Sequence, residues 1–294
     1  VVLGVAASAD DVCDIISYSA FEVASQTFTG TTTLDGAVVI NESSADVDFR
    51  VESDNLTHAL FVQGSDGKIS IGNSAPTANL EITQSGNNVG LLVSGGGYNY
   101  TAKFESSDAE ANIIIEDSNS TNNGNMIGVA TNDMYFVTNA TERMRIDATG
   151  AVTMPLQPAF LARPSSSQSN IPINASTTVV FATEIFDQNA DFASNTFTAP
   201  VAGRYALQTV LYVQQVDKDS DYIIFEIVTS NRSYMYILDP GVFASDPVYW
   251  HASISVLADM DASDTAIVQV RLPNSGAAQL DINNNSSFSG YLVA

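Results

Sequence analysis

The stretch DFASNTFTAPVAGRY (residues 191–205) decides the fold, and the segment FSGYLV (residues 288–293) near the end of the chain completes it. Pro200 fixes φ and removes a backbone donor, so it belongs at a strand edge or in a turn. Gly203 can take a backbone conformation that a β-carbon would forbid. We therefore expect the chain to turn here and to enter a strand at Tyr205.

A long strand is expected after this turn, because the residues from Tyr205 onward alternate between two sets. The set expected to be buried is Tyr205, Leu207, Thr209, Leu211 and Val213, and the opposite set is Ala206, Gln208, Val210, Tyr212 and Gln214. Further strands are expected at residues 179–186, 222–229, 234–238, 248–257 and 266–272. About 135 residues of short strands without a helical pattern suit one sandwich.

Together the two segments resemble the globular head of the complement C-one-q-like family. An aromatic-Thr-Ala-Pro turn leads through Val-Ala-Gly into Arg-Tyr, and a Phe-Ser-Gly-aromatic-Leu strand closes the domain. The resemblance implies a jelly roll related to tumour necrosis factor that assembles as a homotrimer. The residues that carry this fold motif are Phe197, Pro200, Gly203, Tyr205, Phe288 and Gly290.

Residues 27–154 have a different character, with short β-prone runs such as ALFVQ, KISIG and MYFVT between Gly, Asn, Asp and Ser. Each run is too short to form a core alone, so a β-rich shaft must stack on neighbouring runs or on other chains. Gly67 and Gly150 supply the positive φ that two of its turns need. Residues 40–152, with DFRVESDN and ERMRIDATGAV, resemble the shaft repeats of bacteriophage tail fibres, which also occur in some bacterial surface proteins. This resemblance implies a trimeric fibre shaft and no activity.

The predicted fold class is all-β, and prolines at 155, 158 and 164 divide shaft from head. We predict an N-terminal attachment arm (1–30), a β-rich fibre shaft (31–155) and a jelly-roll head (156–294). Within the arm, residues 10–25 have the spacing of a short helix, and an irregular arm is the alternative. A single cysteine, Cys13, excludes an intramolecular disulfide and is expected to be a small buried hydrophobe.

The charge of the chain limits its partners. The 294 residues include 33 Asp and Glu against 10 Lys and Arg, a formal net charge of -23. Such a surface repels phosphates and anionic headgroups, so nucleic acid is not an expected partner. No run approaches the ~18 apolar residues that cross a membrane, so membrane insertion is not expected either. The expected location is a virion surface or the extracellular space.

Catalytic motifs are not found in the sequence. His58 and His251 are the only imidazoles and lie in different regions, and HExxH, GxSxG, phosphate-binding glycine loops and paired-cysteine metal spacings do not occur. We therefore predict that the protein is not an enzyme. A glycosidase, which needs only two carboxylates, stays open as an alternative.

The best metal candidate is Asp217, Asp219 and Asp221, three alternating carboxylates between two head strands. An EF-hand would need Gly at Tyr222 and Glu at Val228, so this is not one. The complement-type resemblance implies calcium near the head apex, whereas a solvated acidic loop is the alternative. No other cofactor is expected.

Four aromatic residues of the head are candidates for receptor contact by stacking on sugars or on a protein partner, with core packing as the alternative. They are Tyr234, Tyr236, Tyr249 and Trp250. Asn-x-Ser/Thr triplets occur at Asn41, Asn55, Asn99, Asn119, Asn139, Asn174, Asn231 and Asn285. In a chain rich in Asn and Ser, many such triplets arise by chance.

The leading hypothesis is a structural and receptor-binding subunit of a viral, phage-like tail fibre or spike. Its N-terminus would join a larger virion, and its trimeric head would adhere to a glycan or protein of the host surface. One alternative is a subunit of a bacterial or archaeal extracellular filament or adhesin. Another is a tailspike that depolymerises glycans with a carboxylate pair.

Overall fold

The computed structural model describes residues 29–40, 45–84, 89–94, 100–120, 123–273 and 279–294. The predicted helix at residues 10–25 and Cys13 lie outside these ranges. The chain divides into two compact units, Val1–Ala102 and Lys103–Ala294. Within the described ranges the only helical element is a 3-10 turn, Pro240–Val242, so the predicted all-β class is confirmed. The boundaries of the predicted domains stay a prediction.

The first unit contains a small four-stranded sheet in the order β1-β2-β3-β4. Its strands are β1 (Phe49–Val51), β2 (Leu60–Val62), β3 (Ile69–Ile71) and β4 (Leu80–Ile82). The first three pair antiparallel, and β3 pairs with β4 in parallel. Gly67, in the β2–β3 turn, has φ +71, as predicted. Phe61 is buried, whereas Leu60, Ile69, Ile71 and Leu80 are exposed.

Glu81 fixes the loop that leads into β4. Its carboxylate accepts hydrogen bonds from the backbone and hydroxyl of Thr77, at 2.8 and 2.9 Å, and from Thr83 and Asn73. These bonds, the Thr77 backbone bond first, lower the pKa of Glu81 to about 2. The loop is therefore held by an ionised carboxylate.

Acid is expected to loosen this loop. Because the folded-state pKa lies below the ordinary glutamate value of ~4.3, Glu81 stabilises the fold fully above that value, and the contribution is lost as pH falls towards 2. NMR titration of the Glu81 carboxyl carbon should give a midpoint near 2. Glu81→Gln should remove this acid-dependent step. A midpoint in the ordinary glutamate range would show that the four donors are not engaged in solution.

The second unit begins with a five-stranded antiparallel meander, ordered β5 to β9. Its strands are β5 (Glu110–Ile114), β6 (Met126–Ala130), β7 (Asp133–Thr138), β8 (Thr141–Ile146) and β9 (Val152–Thr153). Gly150, between β8 and β9, has φ +89, as predicted. Strand pairing places alternate residues on two faces of different chemistry.

One face of the meander carries a polar network around Tyr135. The buried Tyr135 hydroxyl donates to Glu110 Oε2 at 3.0 Å, and Arg145 lies over the Tyr135 ring at 5.2 Å. Arg145 also donates to Asp133 at 3.0 Å and to Glu142 at 2.9 Å. The hydrogen bond from Arg145 holds the pKa of Glu142 below its usual range, so this carboxylate stays ionised beside its cation.

The other face of the meander, which we call the apolar sheet face, carries apolar side chains except for the pair Thr138 and Thr141 at one end. The registered pairs give its members as Ala111, Ile113, Ile127, Val129, Met134, Phe136, Met144, Ile146 and Val152. Five of these, Ile113, Ile127, Val129, Met134 and Val152, are exposed by 37–52%. The β-strand pattern therefore leaves a row of large apolar side chains that the described residues cover only in part.

The head is a sandwich of two antiparallel sheets. Its strands are β10 (Ala159–Arg163), β11 (Gln168–Ile171), β12 (Ser176–Thr178), β13 (Thr183–Asp187), β14 (Phe192–Ala193), β15 (Thr196–Thr198), β16 (Gly203–Gln214), β17 (Ile223–Thr229), β18 (Ser233–Leu238), β19 (Tyr249–Met260), β20 (Thr265–Arg271), β21 (Leu280–Ile282) and β22 (Ser287–Leu292). The first sheet has the order β11-β21-β16-β22-β10-β13, with β19 on the other edge of β16. The second has the order β14-β15-β20-β17-β18, with β12 also paired to β20. From β16 to β22 the chain crosses repeatedly between the sheets, which is a jelly roll.

The two sequence segments that predict this fold meet around one ring. Phe160 is 1% exposed and stacks on Phe192 and on Phe197 at 4.9 Å between ring centroids. Phe288, from the terminal segment, meets the same ring edge-on at 5.0 Å. The Tyr205 hydroxyl donates to the Val201 carbonyl at 2.7 Å and closes the turn. The distant motif is thus one aromatic cluster that joins the two sheets of the sandwich.

The predicted faces of β16 are confirmed, since Tyr205, Leu207, Thr209, Leu211 and Val213 are all buried. The explanation predicted for Gly203 is wrong, because it lies in a strand without positive φ. Its absent side chain matters for a different reason. A β-carbon there would lie 2.7 Å from the Ala294 carbonyl oxygen and 2.7 Å from Leu292 Cδ1. Gly203 therefore permits close approach of the terminal segment.

The expected strand at residues 179–186 begins later, at Thr183. Two side chains explain the difference, because they take the backbone donors that a sheet would use. Phe181 N donates to Asn195 Oδ1 at 2.8 Å, and Val180 N donates to Gln168 Oε1 at 3.0 Å. Val179 and Phe181 are still buried in the core, although this segment does not form a strand.

Candidate functional site

The head has a polar cavity of about 570 Å³ near the end of the sandwich where β16 ends and β19 begins. Three carboxylates line it, Asp217, Asp246 and Asp281. Three side-chain amides join them, Asn170, Gln215 and Gln279. Val216, Pro247 and Val248 supply its apolar wall. We call this the head cavity.

Backbone bonds fix the carboxylates of the head cavity. Asp246 Oδ1 accepts from Lys218 N at 3.0 Å, and Asp281 Oδ1 accepts from Asn170 N at 2.8 Å. Among the described residues, none donates to Oδ2 of either aspartate. Each carboxylate thus keeps one oxygen for a hydroxyl or an amine, and the amides can both donate and accept.

The three predicted calcium ligands lie in different surroundings. Asp217 lines the head cavity and its Oδ1 accepts from Asp219 N at 2.9 Å, whereas Asp219 and Asp221 are exposed. Asp219 pairs with Lys218, and that bond raises the pKa of Lys218. Across the described ranges, no three His, Cys, Asp or Glu side chains are arranged to hold a metal ion. Calcium binding at Asp217, Asp219 and Asp221 stays a prediction.

The four candidate aromatic residues differ in exposure. Tyr249 is 65% exposed, and Tyr236 is exposed beside the buried ring of Phe225. Tyr234 and Trp250 are partly buried and pack against the core. The Trp250 ring meets Phe243 edge-on at 5.0 Å. Tyr249, next to the cavity residue Val248 in the chain, is therefore the aromatic side chain best placed to meet a ligand.

The outer surface of the first head sheet has a central area without charged residues. We call this area the uncharged face. Its members are Ala206, Gln208, Val210, Tyr212, His251, Ser253, Ser255, Leu257, Ser287, Ser289 and Tyr291. His251 is exposed beside Tyr212, with ring centroids 6.0 Å apart. In a chain with 33 acidic residues, an uncharged surface of three strands' width is unusual for a solvent-facing sheet.

The chain is similar to solved structures at low sequence identity. No protein-family model matches the sequence, and no curated protein matches it significantly. Similar solved structures include the globular domain of zebrafish Complement 1qA protein, at 18% identity over 47% of this chain and 98% of that chain, with a TM-score of 0.35. Murine APRIL at pH 8.0 is similar at 10% identity over 47% and 99%, also with a TM-score of 0.35. The jelly roll itself is established by strand order and register.

Sequence reasoning missed two parts of the candidate site. Asp246 and Asp281 are far from Asp217 in the chain, and only the pairing of β21 with the end of β16 brings Asp281 near. The apolar sheet face was missed because its runs are short and their register was not predictable.

The described residues include no helix long and apolar enough to cross a membrane.

Proposed function

We propose that the chain is a structural and receptor-binding subunit of a viral, phage-like tail fibre or spike, and that it works as a homotrimer. The observation that carries this proposal is the apolar sheet face. A soluble single chain rarely leaves a contiguous row of large apolar side chains in water, so such a surface marks an interface. Other copies of the same chain are its natural cover in a fibre shaft.

The uncharged face supports association of the heads as well. Copies that each carry a net charge of -23 repel one another, and the cost rises when acidic side chains are buried between them. The uncharged face avoids that cost, because Ser, Gln, Ala and Tyr can pack without desolvating a carboxylate. The complement-type resemblance favours three copies over two.

The head cavity is the proposed receptor contact, and a host-surface glycan is the proposed ligand. Carboxylates and amides that hold a free oxygen or nitrogen can bind sugar hydroxyls, and Tyr249 offers a ring for stacking on a sugar face. One such cavity gives weak binding. Three heads on one fibre would add avidity without new contacts.

Asp246→Asn is expected to weaken binding of the full chain to host cells by at least about tenfold, because a hydrogen bond to a charged group contributes roughly 1.5–3 kcal/mol. Asparagine keeps the Oδ1 acceptor for Lys218 N, so the loop should stay folded. Saturation binding of labelled protein to host cells measures the change.

Asp259→Asn is the matched control for Asp246→Asn. Asp259 is exposed, pairs with Arg232 at 2.7 Å and does not line the head cavity. Its replacement should leave cell binding unchanged. Equal binding by the Asp246 variant and the original chain would remove the head cavity from the proposal and leave the trimeric architecture untouched.

A subunit of a cellular filament or adhesin would use the same two faces and the same cavity. Electron microscopy with an antibody against the head separates the two functions. Label at the free tips of virion fibres supports the viral appendage, whereas label along cell-attached filaments transfers the proposal to the filament. Release of reducing ends from host polysaccharide would instead point to a depolymerising spike.

A further inference from the structure

The Asn-x-Ser/Thr triplets in the described part of the chain share one kind of position. Each asparagine is exposed and lies between strands, outside every strand. These residues are Asn55, Asn119, Asn139, Asn174, Asn231 and the overlapping pair Asn284 and Asn285. Surface turns are where an acceptor asparagine has to lie if an oligosaccharide is to be attached to it.

Asparagines outside such triplets often have structural tasks instead. Asn73, Asn125, Asn189, Asn195 and Asn283 are all partly buried. Their side chains hold loops through specific bonds, such as Asn195 Oδ1 with Phe181 N and Asn73 Nδ2 with Glu81. The triplet pattern thus separates most of the exposed turn asparagines from those that hold loops together.

The triplets also avoid both proposed contact surfaces. None of their asparagines belongs to the apolar sheet face or to the uncharged face, because both faces are made of strand residues. Asn139 shows the arrangement well. It lies in the β7–β8 turn with φ +50, and the hydroxyl of Thr141, the third residue of its triplet, donates to its carbonyl. A glycan at a strand end would project past the sheet and leave both faces free.

One triplet has its nitrogen in use in the folded protein. Asn231 Nδ2 donates to the Asp259 carbonyl at 3.0 Å and to Asp264 Oδ2 at 2.9 Å. Substituting that nitrogen would remove one of its two hydrogens and therefore one of these bonds. Among the described residues, no such bond from Nδ2 is formed by Asn55 or Asn139.

We propose that Asn55 and Asn139 are N-glycosylation sites. In the reaction, the side-chain nitrogen Nδ2 forms a bond to the anomeric carbon of a lipid-pyrophosphate-linked oligosaccharide. The bond from that carbon to the pyrophosphate oxygen breaks, the lipid pyrophosphate leaves, and the amide loses one proton. The proposal goes beyond appendage function, because it places the chain on the outer side of a membrane in a cell that glycosylates proteins. Occupied sites would fit a secreted spike or the extracellular filament, and not a fibre assembled in a bacterial cytoplasm.

Secretion of the full chain from a eukaryotic cell line tests the proposal. The secreted protein is treated with an N-glycan amidase in heavy-oxygen water, which converts each occupied asparagine to labelled aspartate, and peptides are read by mass spectrometry. Label is expected at Asn55 and Asn139, and Asn55→Gln and Asn139→Gln should each remove one glycan mass. Exposed Asn132, which is in a turn but not in a triplet, should carry no label.

The oligomeric mass of the same preparations completes the test. Glycosylated protein is expected to keep the assembly state and melting temperature of the double Gln variant. Val129→Asn is the matched positional control, because it creates an Asn-Ala-Thr triplet on the apolar sheet face, where a glycan should block association. Unlabelled Asn55 and Asn139, or labelled protein that no longer assembles, would overturn the proposal. The isotope label measures glycosylation, and the mass measures assembly. If the double Gln variant is itself a monomer, the proposed trimer is wrong and the glycosylation result is unaffected.

Discussion

Phe160→Ala is expected to lower the free energy of unfolding of the head by about 3–5 kcal/mol, the usual cost of removing a buried phenylalanine ring. Phe160 is the ring on which Phe192, Phe197 and Phe288 converge. Its loss would leave a cavity between the two sheets that the rigid strands cannot close. Urea unfolding of the full chain, followed by fluorescence of the single tryptophan, Trp250, measures the effect.

Tyr249→Ala is the control for Phe160→Ala. It also removes an aromatic ring, but Tyr249 is 65% exposed and buries little on folding. We expect less than about 0.5 kcal/mol for this change, as for most surface substitutions. Both variants are compared at one protein concentration, because association of copies adds to apparent stability. A Phe160 variant no less stable than the Tyr249 variant would show that the aromatic cluster does not hold the sheets together.

Val129→Asp should dissociate the assembly. Val129 lies within the apolar sheet face, where a carboxylate packed against other copies would lose its water without gaining a partner. A penalty of several kcal/mol per copy lowers association by at least about a hundredfold. Light scattering after size exclusion should then report a monomer.

Thr131→Asp adds the same charge two residues away and serves as the control. Thr131 lies in the exposed β6–β7 turn with φ +57, a conformation that aspartate tolerates. It should assemble like the original chain. Equal masses for all three proteins would remove the apolar sheet face from the interface.

The head was predictable because its sequence patterns are local or terminal. Alternation from Tyr205 to Val213 places one face in the core, and the same period holds in β20, where Val268 and Val270 are buried. Residues of the aromatic cluster were predicted as part of a fold motif, but the contacts between their rings were not. Gly203 was assigned a conformational role, whereas the structure assigns it to close approach by the terminal residues.

The site was less predictable because it depends on contacts between distant residues. Asp217, Asp219 and Asp221 form a group by spacing, but the strands bring Asp217 to Asp246 and Asp281 instead. The apolar sheet face depends on a register across five short strands, and each strand alone carries only one or two of its residues. In both cases the information lies in strand pairing, which periodicity does not encode.

The most direct test of the central claim is the mass of the unmodified full chain in solution. Size exclusion with light scattering should give about three times the chain mass of 31.2 kDa at micromolar concentration, because both proposed faces are then buried between copies. The mass should be stable on dilution, as expected for an interface that includes an apolar core. A folded monomer that stays soluble with its apolar sheet face exposed would contradict the trimeric fibre.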